Sequence, residues 1–252
     1  MAAVTKVGAG AHQVLCLHGW FGSADGWGFW PEVADGTAYT WWLVEMRGYG
    51  ARKGETGEYT MREYAADALA FADAEGIGRF SILGHSMGGK AGASLLAQAG
   101  PERVRALVGL NPVAPAPVPM DAEGEALFFG APASDDNRRA IIDFTTGNRN
   151  SGVWLDAMVA GSRARSTEEA FEGAVRSWVR DDYLAEVGSP ETPIAVIVGE
   201  TDPALSAEVM RQSWMQIYPD VELIELPSCG HYPMHEAPVW LATQIETFLA
   251  DK

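Results

Sequence analysis

Ser86 lies at the centre of the segment GHSMG (residues 84–88), directly after the apolar run Phe80–Leu83. Glycine on both sides of a serine is typical of a sharp strand-to-helix turn that presents the hydroxyl as a nucleophile. The same stretch also approximates a phosphate-binding loop, because Gly84 is followed after four residues by Gly89 and Lys90. Both interpretations need a strand, a turn and a helix, so other residues must decide.

The phosphate interpretation lacks its magnesium ligand. A phosphate-binding loop carries Ser or Thr directly after the lysine, whereas this chain has Ala91. We therefore interpret Lys90 as a solvated residue of the following helix. The serine interpretation requires an acid and a histidine later in the chain.

Both are present at strand ends. Asp202 follows the apolar run PIAVIVG, and His231 follows VELIELP. A serine hydroxyl attacks efficiently only when a neutral imidazole can accept its proton, and a carboxylate must orient that imidazole. We predict Ser86, Asp202 and His231 as nucleophile, acid and base, with Glu200 and Asp121 as alternative acids.

A developing oxyanion needs backbone donors. The helix after the serine supplies the N–H of Met87, and the loop LHGWFGS (residues 17–23) supplies that of Trp20, with Phe21 as the alternative. We also predict an apolar substrate pocket from large side chains near this loop and in the middle of the chain, namely Phe21, Phe128, Phe129, Trp154 and Met158.

A metal site is the remaining interpretation of His231. His235 follows four residues later, a spacing that can bind zinc on a helix. Pro233 interrupts that segment and no glutamate completes the H-E-x-x-H pattern. We therefore predict neither a metal site nor a cofactor.

Alternating apolar runs and helical patterns must position these residues. They predict an α/β fold with a doubly wound, mainly parallel sheet and a cleft at the carboxyl ends of its strands. The helical patterns are Met61–Ala74, with Thr60 and Glu63 as a capping box, then Met87–Ala99 and Val239–Leu249. The predicted strands are Val14–Leu17, Thr40–Val44, Phe80–Leu83, Ala106–Leu110, Ile194–Val198 and Val221–Leu226.

The segment PVAPAPVP (residues 112–119) breaks this rhythm with four prolines. Helical patterns without a convincing strand follow as far as Tyr183. We predict a helical lid over residues 113–188, inserted between two late strands of a core formed by 1–112 and 189–252. Because the lid carries no predicted triad member, we expect the chemical groups to assemble without its contacts.

Composition excludes some partners. The chain has 18 Lys and Arg residues against 34 Asp and Glu residues, a net charge of −16. This charge repels nucleic acids and anionic membrane surfaces, so the expected partner is a small-molecule substrate. We see no signal-peptide core or spanning run, and Cys16 and Cys229 give no reason to pair, so we expect a cytoplasmic protein. The sequence does not indicate an oligomeric state.

The motifs LHGWFGS, EMRGYG, GHSMGGK, GETDP and CGHYPMHEAP, in this order, resemble those of the α/β-hydrolases over nearly the whole chain. The resemblance implies that fold and a lid at this position. GHSMGG with HGW is more similar to small carboxylesterases and to lactone or C–C bond hydrolases than to lipases. Members that cleave haloalkanes or epoxides carry Asp in place of Ser86. Glu45 replaces a usual Asp, and the N-terminal side of the sheet looks shortened.

These observations predict a serine hydrolase that cleaves small carboxylic esters through an acyl-enzyme. An alternative is a lactone or C–C bond (diketone) hydrolase that uses the same triad. A member of the fold that binds a ligand without catalysis is a third interpretation, against which the complete triad argues.

Overall fold

The computed structural model describes residues 3–188, 190–218 and 220–252. Seven strands form one sheet in the order β1-β3-β2-β4-β5-β6-β7, in which β1 pairs antiparallel with β3 and the other neighbours are parallel. The strands are β1 Val4–Gly8, β2 His12–Leu17, β3 Tyr39–Val44, β4 Phe80–His85, β5 Val104–Leu110, β6 Ile194–Gly199 and β7 Glu222–Leu226.

The doubly wound, mainly parallel sheet predicted from the sequence is confirmed, and β2 to β7 coincide with the six predicted strands. Strands β4 and β6 are buried along their whole length, which explains their continuous apolar runs. Strand β1 was not predicted. It is a short edge strand with three exposed residues, so it lacks the apolar run that marks the others.

Twelve α-helices surround the sheet in the described part of the chain. They are α1 Trp30–Val33, α2 Met61–Ala74, α3 Met87–Ala99, α4 Ala122–Gly130, α5 Asp135–Thr145, α6 Gly152–Arg165, α7 Glu168–Arg180, α8 Leu184–Val187, α9 Ala207–Gln212, α10 Trp214–Ile217, α11 Pro233–Glu236 and α12 Pro238–Leu249.

Helices α2 and α3 begin as the sequence predicts. Thr60 caps α2 by accepting the N–H of Glu63 at 3.1 Å, but the Glu63 carboxylate bonds the N–H of Tyr59 instead of completing a box with Thr60. Small residues bring α3 against the sheet, because a Cβ on Gly88 would lie 2.2 Å from the carbonyl oxygen of Leu17. This close packing places the start of α3 beside the end of β2.

Helices α4 to α8 lie between β5 and β6, within the segment that the sequence predicts as a lid. The Pro-rich segment (residues 112–119) leads into them and contains no helix. Among the described residues no helix is long and apolar enough to cross a bilayer, and Cys16 and Cys229 are free and buried.

Candidate active site

Ser86 occupies a strained turn between β4 and α3. Its φ of 55° lies in the left-handed region, which costs energy for a residue with a side chain. Hydrogen bonds on both sides hold the turn: Ser86 N–H donates to Leu110 O at 2.9 Å, and Ser86 O accepts the N–H of Val113 at 2.9 Å. Gly84 is required, because a Cβ there would lie 2.3 Å from Gly88 O. The turn therefore presents the serine at the carboxyl edge of the sheet.

Asp202 and His231 form a hydrogen-bonded pair at the same edge. His231 Nδ1 lies 2.7 Å from Asp202 Oδ2. The carboxylate is fully buried and also accepts from the side-chain amide of Asn111 at 2.8 Å and from the N–H groups of Ala204 and Leu205 at 2.9 and 3.1 Å. These donors fix the carboxylate, so Nδ1 of His231 carries the shared proton and Nε2 is left to accept another.

Ser86 and His231 line the same cavity, although no hydrogen bond joins their side chains among the described residues. Nucleophile and base are often loosely paired in the absence of substrate. Asn111 was missed by the sequence analysis. It directly follows β5, between the strands that carry Ser86 and Asp202, and this position in the sheet order is a signal that could have found it.

The histidine loop (residues 228–232) is held by α11 and by the helices before β6. Glu236 accepts the N–H groups of Gly230 and Tyr232, the neighbours of His231, at 3.0 and 3.1 Å. Thr145 O, at the end of α5, accepts the N–H of His231 at 3.1 Å.

Arg149, which follows α5, extends this support. Its guanidinium bonds Glu236 at 2.6 Å and the carbonyl of Ser228 at 2.7 Å. Thr145 and Arg149 both belong to the predicted lid, so that segment contacts the histidine loop, and assembly of the chemical groups without these contacts stays a prediction.

Loop 17–23 lies beside the serine. A Cβ on Gly19 would lie 3.2 Å from Ser86 Cβ. Burial lowers the pKa of His18 to about 4, so its ring is neutral. Its Nε2 accepts the N–H of Met46 at 3.2 Å, which leaves Nδ1 to donate to Gly19 O at 2.9 Å.

This bond orients the predicted oxyanion donor. The peptide bond between Gly19 and Trp20 is trans, so the N–H of Trp20 points in the direction opposite to the Gly19 carbonyl, which is bonded to His18. The N–H groups of Trp20 and Met87 have no acceptor among the described residues. Both are therefore free to donate to a ligand near Ser86, and their role as oxyanion donors stays a prediction.

The site cavity has a volume of about 230 Å³ and mostly apolar walls. Phe21 and Phe128 line it, in agreement with the predicted pocket, and the side chain of Trp20 lines it as well. Trp20 is held in place because its ring stacks on Phe171 at 4.1 Å and its Nε1 donates to Phe171 O at 2.8 Å. Lining residues that the sequence analysis missed include Val118, Ile141, Phe144, Trp178 and Tyr232.

Phe129, Trp154 and Met158, which were predicted to line the pocket, lie outside this cavity. Phe129 follows Phe128 on α4, and successive helical residues project about 100° apart, so it packs under the Arg180 guanidinium at 5.1 Å instead. Trp154 packs edge-on against Tyr232 at 5.8 Å, behind the cavity wall. Met158 lines a separate small void beside His18.

Lys90 is buried, which contradicts its interpretation as a solvated residue. Its ammonium donates to the carbonyls of Ala116, Trp178 and Asp181 at 3.0, 3.1 and 2.5 Å, and burial lowers its pKa to about 8. Lys90 thus ties the Pro-rich segment to the end of α7, and its three donors are occupied rather than free to bind a phosphate.

The other histidines near the site have structural partners. His85 Nε2 lies 2.8 Å from His231 O, and burial lowers the pKa of His85. His235 Nε2 lies 3.3 Å from Gly26 O. Within the described ranges no three His, Cys, Asp or Glu side chains are grouped as metal ligands would be.

Known proteins resemble this chain in sequence. The pimeloyl-[acyl-carrier protein] methyl ester esterase of Nitrosomonas europaea is 28% identical, over 90% of this chain and 91% of that protein. The 2-hydroxy-6-oxononadienedioate/2-hydroxy-6-oxononatrienedioate hydrolase 1 of Dechloromonas aromatica is 29% identical, over 91% and 83%. A 36% identical match to the dihydrolipoyllysine-residue acetyltransferase component of the acetoin cleaving system of Cupriavidus necator covers 43% of this chain and only 28% of that protein.

Solved structures share the fold. The esterase EaEST from Exiguobacterium antarcticum superposes with a TM-score of 0.87 over 99% of this chain and 95% of its own, at 16% identity. The model of the Alpha/beta hydrolase family matches residues 14–244, nearly the whole length. The chain belongs to the alpha/beta hydrolase family, and the relatives it resembles include an esterase and a hydrolase named for a dienedioate.

Proposed function

We propose that this hydrolase cleaves uncharged carboxylic esters through an acyl-enzyme on Ser86. One observation carries the proposal: a serine in a strained turn and a histidine paired with a buried aspartate line the same apolar cavity. This arrangement supplies a nucleophile and its base in one place, which a protein that only binds a ligand does not need.

The proposed reaction follows from the geometry. Ser86 Oγ attacks the ester carbonyl while His231 Nε2 takes its proton, and Asp202 stabilises the imidazolium that forms. The carbonyl oxygen becomes an oxyanion that accepts hydrogen bonds from the backbone N–H groups of Trp20 and Met87. His231 then protonates the departing alcohol, which leaves an acyl group on Ser86. A water molecule, deprotonated by His231, releases the acid and restores the serine.

The cavity wall favours an uncharged ester over a dicarboxylate. The Dechloromonas aromatica relative is named for a dienedioate, which carries two carboxylates. Among the described residues that line the site cavity none is lysine or arginine, so no cation is in place to pair with such a substrate. The net charge of −16 also repels anions. Neutral lactones and neutral diketones remain the alternative substrates for the same three side chains.

The test compares Ser86→Ala with Ser94→Ala, a matched change of a buried serine in helix α3, which follows Ser86. With p-nitrophenyl butyrate, Ser86→Ala should lose at least about 10³-fold in kcat/KM, while Ser94→Ala should keep wild-type activity. A fluorophosphonate should label wild-type protein once, at Ser86. Near-normal turnover by Ser86→Ala would exclude it as the nucleophile.

A substrate panel tests the specificity. We expect the highest kcat/KM for the neutral aryl ester, lower values for a neutral lactone and a neutral 1,3-diketone, and no turnover of a dienedioate. Faster turnover of the diketone or the dienedioate would assign C–C bond hydrolysis instead.

A further inference from the structure

A second apolar groove adjoins the site cavity. It has a volume of about 530 Å³, more than twice the 230 Å³ of the site cavity. The two share four residues, which line both spaces: Val118, Pro119, Ala204 and Leu205. The groove therefore lies next to the cavity that Ser86 lines.

Both walls of the groove are held firmly. One wall is the Pro-rich segment, which is anchored by the Lys90 bond to Ala116 O and by the 2.9 Å bond from Val118 N–H to Val179 O. The other wall consists of α9 and α10, which follow the aspartate loop. Trp214 on α10 joins the walls, because its Nε1 donates to Pro112 O at 3.2 Å. A groove with fixed walls is suited to bind a ligand without reorganisation.

The chemistry of the lining identifies the ligand class. Although 21% of the chain's residues are charged, none of the described residues that line the groove is charged. Val209 and Ile217 line it together with other apolar side chains. Its polar lining residues, among them Gln212 and Gln216, are neutral. Phosphates, carboxylates and acidic carrier proteins would find no cation here, whereas an alkyl or aryl chain would find apolar contact.

We propose that this groove binds the distal part of a long apolar chain of the ester whose carbonyl lies at Ser86. The proposal rests on the function proposed above and names the substrate class. The site cavity alone is smaller than the roughly 300 to 1,000 Å³ of most small-molecule sites, so a long chain must extend beyond it, and the groove is the apolar space next to it. This apolar chain can be the acyl part or the alcohol part of the ester, because the groove offers apolar contact to either.

The test fills the groove at positions away from the triad. Gln216→Trp changes an exposed residue and should fold normally. Val209→Trp places a large side chain into the groove from the α9 wall. Val153→Trp, on α6 and 82% exposed, is the matched control. The measured quantity is the ratio of kcat/KM for p-nitrophenyl decanoate to that for p-nitrophenyl butyrate, and separately the ratio for decyl acetate to ethyl acetate.

Each methylene excluded from apolar contact lowers kcat/KM about fourfold, so losing two or more should lower the long-to-short ratio at least about tenfold. We expect this drop in one of the two ester series for both groove variants, with no change for the control. The series that responds identifies the acyl or the alcohol chain as the occupant.

The proposal would be overturned if both groove variants kept the wild-type ratios in both series while Ser86 was still labelled by phosphonate. It would also be overturned if wild-type protein sedimented as a dimer and Gln216→Trp converted it to a monomer, because a second copy would then occupy the groove. Absence of ester turnover and of labelling in wild-type protein would instead refute the ester hydrolase function itself.

Discussion

Glu236 offers a sharp test of how the histidine is positioned, because its carboxylate is bonded to both neighbours of His231. It accepts from Gly230 N–H at 3.0 Å and Tyr232 N–H at 3.1 Å, and the Arg149 guanidinium bonds it from the other side. The side chain is only 6% exposed. In Glu236→Gln one acceptor oxygen becomes an NH₂ group, so one of the flanking N–H groups loses its acceptor. The Arg149 guanidinium also loses its negatively charged partner.

The magnitude follows from these bonds. A hydrogen bond to a buried charged group contributes about 1.5 to 3 kcal/mol, so we expect the free energy of unfolding to fall by about 2 to 3 kcal/mol. Displacing a catalytic group by about 1 Å costs on the order of 10²-fold in rate. Glu236 does not line the site cavity. Glu236→Gln should therefore lower kcat for p-nitrophenyl butyrate about 10- to 100-fold while KM changes less than about threefold.

The control is Glu246→Leu, which removes an acceptor, that of the Asp35 N–H at 2.8 Å, on α12 away from the site. It should lower stability and leave kcat unchanged. Glu236→Asp keeps both carboxylate oxygens and should recover part of kcat. Steady-state kinetics, phosphonate labelling rates and urea unfolding measure these effects. If Glu236→Gln lost stability but kept wild-type kcat and labelling rate, Glu236 would have no role in positioning His231.

Two further predictions concern buried ionisable groups. His18 has a pKa of about 4 in the folded chain against 6.5 when unfolded, so the unfolded chain binds more protons between these values. The free energy of unfolding should fall as pH decreases from 6.5 towards 4, less steeply for His18→Gln, and equal urea-unfolding slopes would contradict this. Lys90, with a pKa of about 8 against 10.5, should add stability as pH rises from 8 to 10.5. Urea unfolding of Lys90→Met should lack this gain, and a gain equal to that of wild type would exclude Lys90 as its source.

The sequence predicts that three chemical groups lie close together because the ends of the strands are marked in the sequence itself, and the catalytic roles of these groups stay predictions. Ser86, Asp202 and His231 each follow an apolar run, and parallel strands bring their carboxyl ends to one edge of the sheet. Asn111 obeys the same rule and was overlooked only because an amide by itself signals no chemistry. Strand β1 carries too few buried residues to mark it.

The cavity wall could not be predicted, because it depends on how α4 to α7 pack on the sheet. Phe128 and Phe129 are equivalent in the sequence, and only the orientation of α4 decides that Phe128 faces the cavity. The burial of Lys90 has the same origin. Its pattern suits a solvated helix face, and only the segment folded over α3 supplies the three carbonyls that surround its ammonium.

The contacts of the predicted lid and of the second groove also bear on how the predicted triad is held. The end of α5 is bonded to the histidine loop through Thr145, and a Cβ on Gly147 would lie 3.0 Å from Thr201 O in the aspartate loop. A rigid outward swing of α5 would therefore break the bond from His231 N–H to Thr145 O. The second groove lies between the Pro-rich segment and α9, and it is lined by Ala204 and Leu205, whose N–H groups bond the Asp202 carboxylate. A chain bound in this groove would therefore contact the residues that hold Asp202, so the groove variants also report on how firmly that carboxylate is fixed.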